Sequence, residues 1–390
     1  MKVVVSGASG FVASEIIPLL VESGHDVLLV SRAPSVLQPS FPSLTILSVD
    51  NWYHSARHFD MVLNLVGPTL DPDVICESNE EAYLRATQEI AVRAREVGIR
   101  RFIHLSSIHC VELADKSPYT AAKRQAEKIV RQSFGDGCEI YRVGAVYGHK
   151  VSGRRRFLNF LPRGLKPVAQ GLLSALTPTT HVQSIVAAVE RDAGADSEPR
   201  ILVADAEASV VYRLWRSSLN LLFLAVVLAL LPLWAFVWVL IVVRDGFPGL
   251  FLQDRVGKSG RIFRCVKFRT LVRGTAATGT HLLGEESFTV TGRVLRKMKI
   301  DEIPQAINIL RGDMHLIGPR PALPGQREVH VSRAFLGISD ATPGLTGWAQ
   351  VNGADMSEPH RLAQLDYDYL GIRSILWDIR IISRTIRKNR

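Results

Sequence analysis

Cysteine organises very little of this 390-residue chain. Its four cysteines, Cys76, Cys110, Cys138 and Cys265, stand far apart, with no Cys-x-x-Cys and no His/Cys group at metal-ligand spacing. That excludes a zinc module or a disulfide framework and points to a reducing, cytosolic setting. The absence of internal repeats and low-complexity tracts excludes a repeat array. No signal peptide is apparent: Lys2 leads straight into Val3-Val4-Val5 and glycine-rich sequence, so the first part of the chain is expected to stay in the cytosol. Acidic residues are scarce in the second part. Up to residue 210 there are 22 basic and 23 acidic residues, and beyond it 25 and 14, so the net charge of +10 resides entirely in the C-terminal part. An anionic partner follows, and the charge alone leaves nucleic acid, anionic lipid and a phosphorylated substrate all open.

The length suffices for two domains, each with its own core. Up to about Val210, short apolar runs alternate with helical patterns: Lys2–Ser6, a helix from Val12, Asp26–Val30, Met61–Leu65, Glu80–Val97, Arg101–Leu105 and Glu139–Val143. This is the pattern of βαβ units and a parallel sheet. Between Leu219 and Val243 lies an uncharged apolar stretch, longer than the roughly 20 residues needed to span a bilayer. Arg213 and Arg216 precede it and Arg244 follows it, and basic residues on both flanks favour the cytoplasmic side for both ends. With Pro232 near its middle to break the helix, the expectation is a re-entrant helical hairpin, against the alternative of an ordinary single-crossing helix with a tolerated proline. A last helical pattern, Ser374–Lys388, sets Ile375, Ile379, Ile382 and Ile386 along one face with Arg380, Arg384, Arg387 and Lys388 elsewhere. Such a helix can lie in the interface of an anionic leaflet, and equally can be a solvated basic tail.

The first domain carries recognisable nucleotide chemistry. Gly7-Ala8-Ser9-Gly10-Phe11-Val12-Ala13 is a glycine-rich turn between a strand and a helix, whose N-terminal amides can hold a pyrophosphate. The second strand ends in Ser31-Arg32, where an NAD binder usually carries an acidic residue. Arg32 can hold a 2′-phosphate, so NADP is expected, with NAD the alternative. Ser106-Ser107 follows the strand Arg101–Leu105, and Tyr119 and Lys123 are four apart on a helix, where a nearby ammonium would lower the phenol pKa and fit Tyr119 for proton transfer during hydride movement.

With these motifs in this order, residues 1 to about 205 resemble an extended short-chain dehydrogenase/reductase of the nucleotide-sugar epimerase/dehydratase type. Arg142-Val143-Gly144-Ala145-Val146-Tyr147-Gly148 resembles that family's Arg-Pro-x-x-Val-Tyr-Gly stretch. The resemblance implies that Ser107 orients the substrate oxygen, Tyr119 is the acid/base, Lys123 binds the nicotinamide ribose and Asp50 contacts adenine. The chain has Ile108-His109 where sugar 4,6-dehydratases carry an Asp-Glu pair, which disfavours dehydration. A keto-sugar reductase is expected first and a C4 epimerase next, against a non-catalytic nucleotide-binding scaffold.

Beyond the apolar stretch, Lys267 and Arg269 alternate along a strand and could meet a diphosphate from one side. In Lys299-Ile300-Asp301-Glu302-Ile303-Pro304-Gln305, the spacing of Ile300, Ile303, Ile307 and Leu310 predicts a helix whose first turn holds Asp301 and Glu302. A carboxylate there is either an N-cap or an anion beside a phosphate-binding position. Arg320 sits between two prolines in Gly318-Pro319-Arg320-Pro321, a stiffened loop suited to gripping phosphate. Pro343-Gly344-Leu345-Thr346-Gly347-Trp348-Ala349-Gln350-Val351-Asn352-Gly353 is a second turn-rich loop.

From about Arg213 to the C-terminus these segments resemble the bacterial sugar transferases, the monotopic phosphoglycosyl transferases. That resemblance implies Asp301 as nucleophile and a ligand of Mg²⁺, and Glu302 assisting the incoming polyprenyl phosphate or the metal. It also implies Lys267, Arg269 and Arg320 on phosphates, with Gln350 at the substrate. The expected whole is an α/β protein: an NAD(P)-binding Rossmann-type parallel-sheet domain over 1–210, a re-entrant membrane hairpin over 211–246, and a small α/β membrane-associated transferase domain over 247–390. It would act on a UDP-sugar and undecaprenyl phosphate at the cytoplasmic face of a bacterial inner membrane. A nucleic-acid partner is not expected, because it would explain the charge but neither the Asp-Glu nor the Pro-Arg-Pro loop. The oligomeric state stays open, a homodimer included.

Overall fold

The computed structural model describes residues 1–68, 77–112, 115–150, 158–162, 164–191, 199–275 and 284–388; Cys76 lies outside the described residues. The chain divides into two compact units, Met1–Asp205 and Ala206–Arg390.

Unit 1 is built on seven parallel strands in the order β3-β2-β1-β4-β5-β6-β9. They are β1 (Lys2–Ser6), β2 (Asp26–Ser31), β3 (Thr45–Ser48), β4 (Met61–Asn64), β5 (Arg101–Ser107), β6 (Cys138–Val143) and β9 (Arg200–Leu202); a separate parallel pair, β7 (Ala145–Tyr147) and β8 (Thr179–His181), lies beside them. Its helices are α1 (Phe11–Glu22), the one-turn α2 (Pro34–Leu37) and α3 (Trp52–Ser55), α4 (Glu77–Glu96), α5 (Pro118–Phe134), α6 (Lys166–Leu176) and α7 (Val182–Glu190). The central strands are near-continuous Val/Ile/Leu runs because helices cover both sheet faces. Val3, Val5, Ile16, Leu29 and Leu63 belong to one core layer, and Val4, Val62, Phe102 and Ile140 to the other. Strand order reverses between β1 and β4, and the crevice beyond their C-terminal ends is where doubly wound sheets bind ligands.

Unit 2 begins with α8 (Val210–Ala229), among the described residues the one helix long and apolar enough to cross a membrane. The apolar stretch is not one helix: it breaks at Leu230 and resumes as α9 (Leu231–Asp245), with Pro232 in the first turn, where its missing N–H costs nothing. Trp234 Nε1 donates to the Val227 carbonyl across the break at 3.0 Å. Both helices are anchored on the same unit away from the break. Phe223 and Leu224 of α8 pack on Phe263, Ile309 and Met314, while Val237 and Ile241 of α9 pack on Phe268 and Leu295. Near the break the side chains are bare, Leu228 at 69% and Phe236 at 63% exposure.

The rest of unit 2 comprises an antiparallel hairpin, β10 (Leu250–Val256) with β11 (Ile262–Phe268), and a parallel pair, β12 (His315–Ile317) with β13 (Gly344–Thr346). Its helices are α10 (Val290–Lys297), α11 (Ala306–Leu310), α12 (Arg327–Phe335), α13 (Trp348–Val351), α14 (Pro359–Ile372) and α15 (Ile375–Lys388). On α15, Trp377, Asp378 and Ile381 are buried, whereas Leu376, Ile379 and Ile386 are exposed. Two of its arginines lie over indoles: Arg380 over Trp377 at 5.1 Å and Arg384 over Trp348 at 4.9 Å. Asp378 fastens the start of α8 to this helix, accepting from Tyr369 Oη at 2.8 Å, Trp215 Nε1 at 3.2 Å and Tyr212 Oη at 3.4 Å.

Candidate active sites

In unit 2 the hairpin supplies the floor of a small pocket. Cross-strand pairing sets Gln253 opposite Cys265 and Arg255 opposite Phe263, and period-two alternation turns Gln253, Arg255, Cys265 and Lys267 to one face. Across that face runs a 3₁₀ turn, Ile300–Gln305, leading into α11. Asn308 clamps it to the edge of β11, accepting from Val266 N at 3.0 Å and donating to the Arg264 carbonyl at 2.7 Å. Lys299, just before the turn, is left-handed at φ +56°, a conformation costing a non-glycine residue about 1 kcal/mol, which swings the chain into the site.

The pocket is lined by Arg255, Lys267, Glu302, Gln305 and Arg320, closed by Cys265, Pro321, Gly344 and Leu345. The Arg320 loop and the Gly344 loop meet backbone to backbone. Gly344 N donates to the Pro319 carbonyl at 2.8 Å and Gly318 N to the Thr346 carbonyl at 2.9 Å, and a Cβ on Gly318 or Gly344 would strike the facing backbone. Glycine is required there for packing, not for its dihedral freedom.

Glu302 is the hub. One of its oxygens, Oε1, accepts from Lys267 Nζ at 2.8 Å and from Arg320 NH2 at 2.8 Å. Burial by itself would raise this carboxyl, but the two cations and their hydrogen bonds hold it far below the ordinary carboxylate range. Asp301 is buried, at 7% exposure, and is not among the residues lining the pocket. Burial, with Glu302 next, raises its pKa against the opposing pull of Lys267, Arg296 and Arg320. Asp301 therefore lies beside the cationic cluster as the less neutralised carboxylate of the pair.

In unit 2 three residues sit otherwise than the sequence led one to expect. Arg269 does not join Lys267. It follows the last residue of β11 and donates to the carbonyls of Asp245 (2.8 Å) and Gly246, closing the C-terminus of α9. Glu302 is not a free carboxylate: Lys267 and Arg320 both donate to its Oε1. Gln350 acts from behind: its Nε2 donates to the Leu345 carbonyl at 3.0 Å, holding the loop that closes the pocket. Arg255 was missed by sequence reasoning. Its guanidinium donates to the Pro321 carbonyl at 2.9 Å and Gln253 Oε1 at 2.7 Å, and burial together with Arg320 pulls its pKa down to about 10, so it stays cationic at neutral pH. The signal that could have found it is its position two strand residues from Gln253, on the face that Lys267 shares.

In unit 1, Gly7 is left-handed at φ +73° and a Cβ there would come within 2.7 Å of Val66 N, so the turn needs glycine to bring β1 against the end of β4. Gly10 caps α1 without a side-chain cap, leaving the first-turn amides around Phe11 and Val12 for an anion, with exposed Ser9 beside them. Ser31 ends β2 buried, its Oγ accepting from Ala33 N, and Arg32 beyond it is exposed. Asp50 is exposed two residues past β3 and bonds locally with Ser48.

The Ser107 hydroxyl lies close enough to the Tyr119 phenol to lower its pKa, and Ser107 Oγ accepts from His109 N at 3.3 Å. Lys123 does not act on the phenol. Its ammonium donates to the Leu105 carbonyl at 3.1 Å and lies 5.2 Å over the Tyr83 ring, with burial lowering its pKa to about 8. Burial accordingly raises the Tyr119 pKa, offset in part by Ser107, so the lowering expected from Lys123 is absent. Arg142 is committed to an ion pair with Glu127 at 2.9 Å.

A family model for bacterial sugar transferases matches residues 211–389, and one for the NAD dependent epimerase/dehydratase family matches residues 3–185. EpsL of Bacillus subtilis, described as an uncharacterised sugar transferase, is 37% identical over 145 residues, 37% of this chain and 71% of that protein. ExoY of Sinorhizobium fredii, an exopolysaccharide production protein, is 35% identical over 44% of this chain and 83% of its own length. The chain belongs to the bacterial sugar transferases. In it, a sugar transferase unit follows an epimerase/dehydratase-family unit with a Rossmann-type sheet. The UDP-N-acetylgalactosamine-undecaprenyl-phosphate N-acetylgalactosaminephosphotransferase of Aeromonas hydrophila is 34% identical over 46% of this chain and 44% of its own length, so this transferase spans less than half of that relative. Among solved structures, UDP-glucuronic acid 4-epimerase from Bacillus cereus is similar at a TM-score of 0.39 and 17% identity, over 52% of this chain and 78% of that one.

Proposed function

We propose that unit 2 transfers a sugar phosphate from a UDP-sugar to undecaprenyl phosphate through a covalent intermediate on Asp301. The observation that carries this reading is the cluster of Lys267, Arg255 and Arg320 around one pocket, with Glu302 tied to two of its cations and Asp301 next to it. A carboxylate oxygen of Asp301 attacks the phosphorus that bears the sugar, the bond to the bridging diphosphate oxygen breaks, and UMP leaves. An oxygen of the lipid phosphate then attacks the same phosphorus, displacing the Asp301 carboxylate and forming a lipid diphosphate sugar. Arg320, Lys267 and Arg255 hold the diphosphate and stabilise charge gathering on UMP, and Glu302 keeps the first two in place. Among the described residues no group of three or more His, Cys, Asp or Glu could cage a metal, and Oε1 of Glu302 is taken by two cations, so Asp301 with at most the second oxygen of Glu302 would contribute. That donor set fits Mg²⁺, which binds through one or two carboxylates plus substrate phosphates; when bound it would neutralise diphosphate charge.

Unit 1 is read as a nicotinamide-dependent enzyme acting on the UDP-sugar, a keto-sugar reductase before a C4 epimerase. Gly7, Ser9, Gly10, Phe11 and Val12 would hold the pyrophosphate and Arg32 a 2′-phosphate, favouring NADP over NAD, with Asp50 toward adenine. Ser107 and Tyr119 would meet the substrate oxygen while Lys123 reaches the nicotinamide ribose. The second reading, a non-catalytic nucleotide-binding module, is favoured by one observation: the Lys123 ammonium is engaged with the Leu105 carbonyl. The break at Leu230 and the anchoring of both helices on unit 2 support a re-entrant hairpin at the cytoplasmic face of a bacterial inner membrane, with the exposed apolar residues of α15 against an anionic leaflet.

Purified protein incubated with a panel of UDP-sugars and undecaprenyl phosphate, with and without NADPH, tests both units. UMP release should depend on the lipid phosphate and fall to background in Asp301→Asn; persistence in that variant would refute the nucleophile. NADPH left unconsumed with every keto-sugar nucleotide tried would sink the reductase reading.

A further inference from the structure

Unit 1 has an apolar face that its own core does not use. Along α6 and the residue capping it, Leu165, Val168, Leu172 and Leu176 recur at intervals of three or four and so share one side of the helix. All four are exposed, Val168 to 61% and Leu165 to 54%, and Phe160 just ahead is 88% exposed, whereas Ala175 is buried. Single exposed apolar residues are ordinary on a protein surface, but a continuous stripe of this kind marks a contact surface.

The local charge says what the contact is. Between His149 and Leu176 the sequence holds six Lys and Arg and no Asp or Glu, although up to residue 210 acidic residues slightly outnumber basic ones. The six cations, Lys150 to Lys166, lead into the helix, and an apolar helical stripe directly following a run of one positive sign fits a helix lying in an anionic lipid interface. The chain length agrees. Only residues 203–209 separate the end of β9 from the start of α8, and seven residues span at most about 25 Å. A unit attached by so short a connection cannot stray far from the bilayer that α8 enters.

We propose that α6 docks unit 1 on the anionic leaflet, its stripe entering the boundary between headgroups and acyl chains while Lys166 stays at the lipid phosphates. Through that short connection it rests on the membrane placement of α8 proposed above. Docking would keep a sugar nucleotide leaving unit 1 close to the surface where the lipid acceptor resides.

The test uses the full chain in nanodiscs, with Cys76→Ser as background because Cys110, Cys138 and Cys265 are buried. An environment-sensitive fluorophore is placed at Leu172→Cys, at Val168→Cys as a second site on the stripe, at Leu228→Cys on α8, and at exposed Ser40→Cys as a control. The stripe sites should show blue-shifted emission and loss of fluorescence to spin-labelled lipid in nanodiscs containing phosphatidylglycerol, weakened in high salt and in purely zwitterionic lipid. Ser40→Cys should show neither. Quenching at Leu228→Cys with none at either stripe site would overturn the docking alone; no quenching at any of the three would overturn it together with the membrane placement of α8. A blue shift that is unchanged in purely zwitterionic nanodiscs at high salt, with no quenching by spin-labelled lipid, would also overturn it, and would assign the stripe to a second copy if it depends on protein concentration or to the chain's own unit 2 if it does not.

Discussion

Glu302 should be more valuable as a counter-ion than as a reacting group, and the size of that role can be worked out. Its Oε1 accepts two charge-assisted bonds, from Lys267 Nζ and Arg320 NH2, each 2.8 Å long. A hydrogen bond to a charged group contributes roughly 1.5–3 kcal/mol and a neutral one roughly 0.5–1.5 kcal/mol. Glu302→Gln keeps a carbonyl acceptor but loses the charge, so each bond weakens by about 1 kcal/mol and unit 2 by about 2 kcal/mol in all. Double-mutant cycles of Glu302→Gln with Lys267→Met and with Arg320→Met should each give a coupling of about 1 kcal/mol. Urea unfolding followed by tryptophan emission is the assay. Five of the six tryptophans, Trp215, Trp234, Trp238, Trp348 and Trp377, belong to unit 2. A coupling near zero with either cation would refute the assignment of Glu302 as the hub.

Three further outcomes follow from the same geometry. Because burial and then Glu302 raise the Asp301 pKa, UMP release should climb with pH on an acid limb above the ordinary carboxylate range, and Glu302→Gln should move that limb to lower pH; an unmoved or upward-shifted limb would contradict the coupling. Gly7→Ala places a Cβ 2.7 Å from Val66 N on a left-handed residue, at a cost of at least about 1 kcal/mol, so NADPH affinity by fluorescence titration should drop about fivefold or more, and unchanged affinity would exclude the turn as the cofactor cradle. Asp378 is raised to about 6, burial being the main cause, so its ionised form is disfavoured in the folded state and stability is lost as pH rises from the unfolded value near 4 through 6. Lowering the pH from 7 to 5 should therefore stabilise the parent protein relative to Asp378→Asn by about 1.3 kcal/mol in thermal unfolding, and a pH-independent difference would refute the burial argument.

Much of the site was legible as contiguous residues. Asp301-Glu302, Arg320 between prolines and the glycine turn after β1 all announce themselves, because their chemistry depends on neighbours in sequence. Arg255 was not legible, since only the register of β10 against β11 turns it to the face of Lys267. Arg269 misled for the complementary reason: strand alternation holds only while the strand lasts, and the residue after Phe268 is free to turn to the carbonyls ending α9. Lys123 and Tyr119 do sit four apart on α5, but helix spacing says nothing of the Leu105 carbonyl that captures the ammonium from a neighbouring strand.

By itself the sequence determined two units, their order, a parallel sheet, a broken apolar segment and the candidate pair Asp301-Glu302. These rest on local periodicity and on motifs read in one dimension. Only the tertiary structure decided which cations share the pocket, which carboxylate they neutralise and which remains, and where each buried ammonium or guanidinium finds its acceptor. Those are contests between groups distant in sequence, settled by desolvation and hydrogen-bond geometry once the chain has folded.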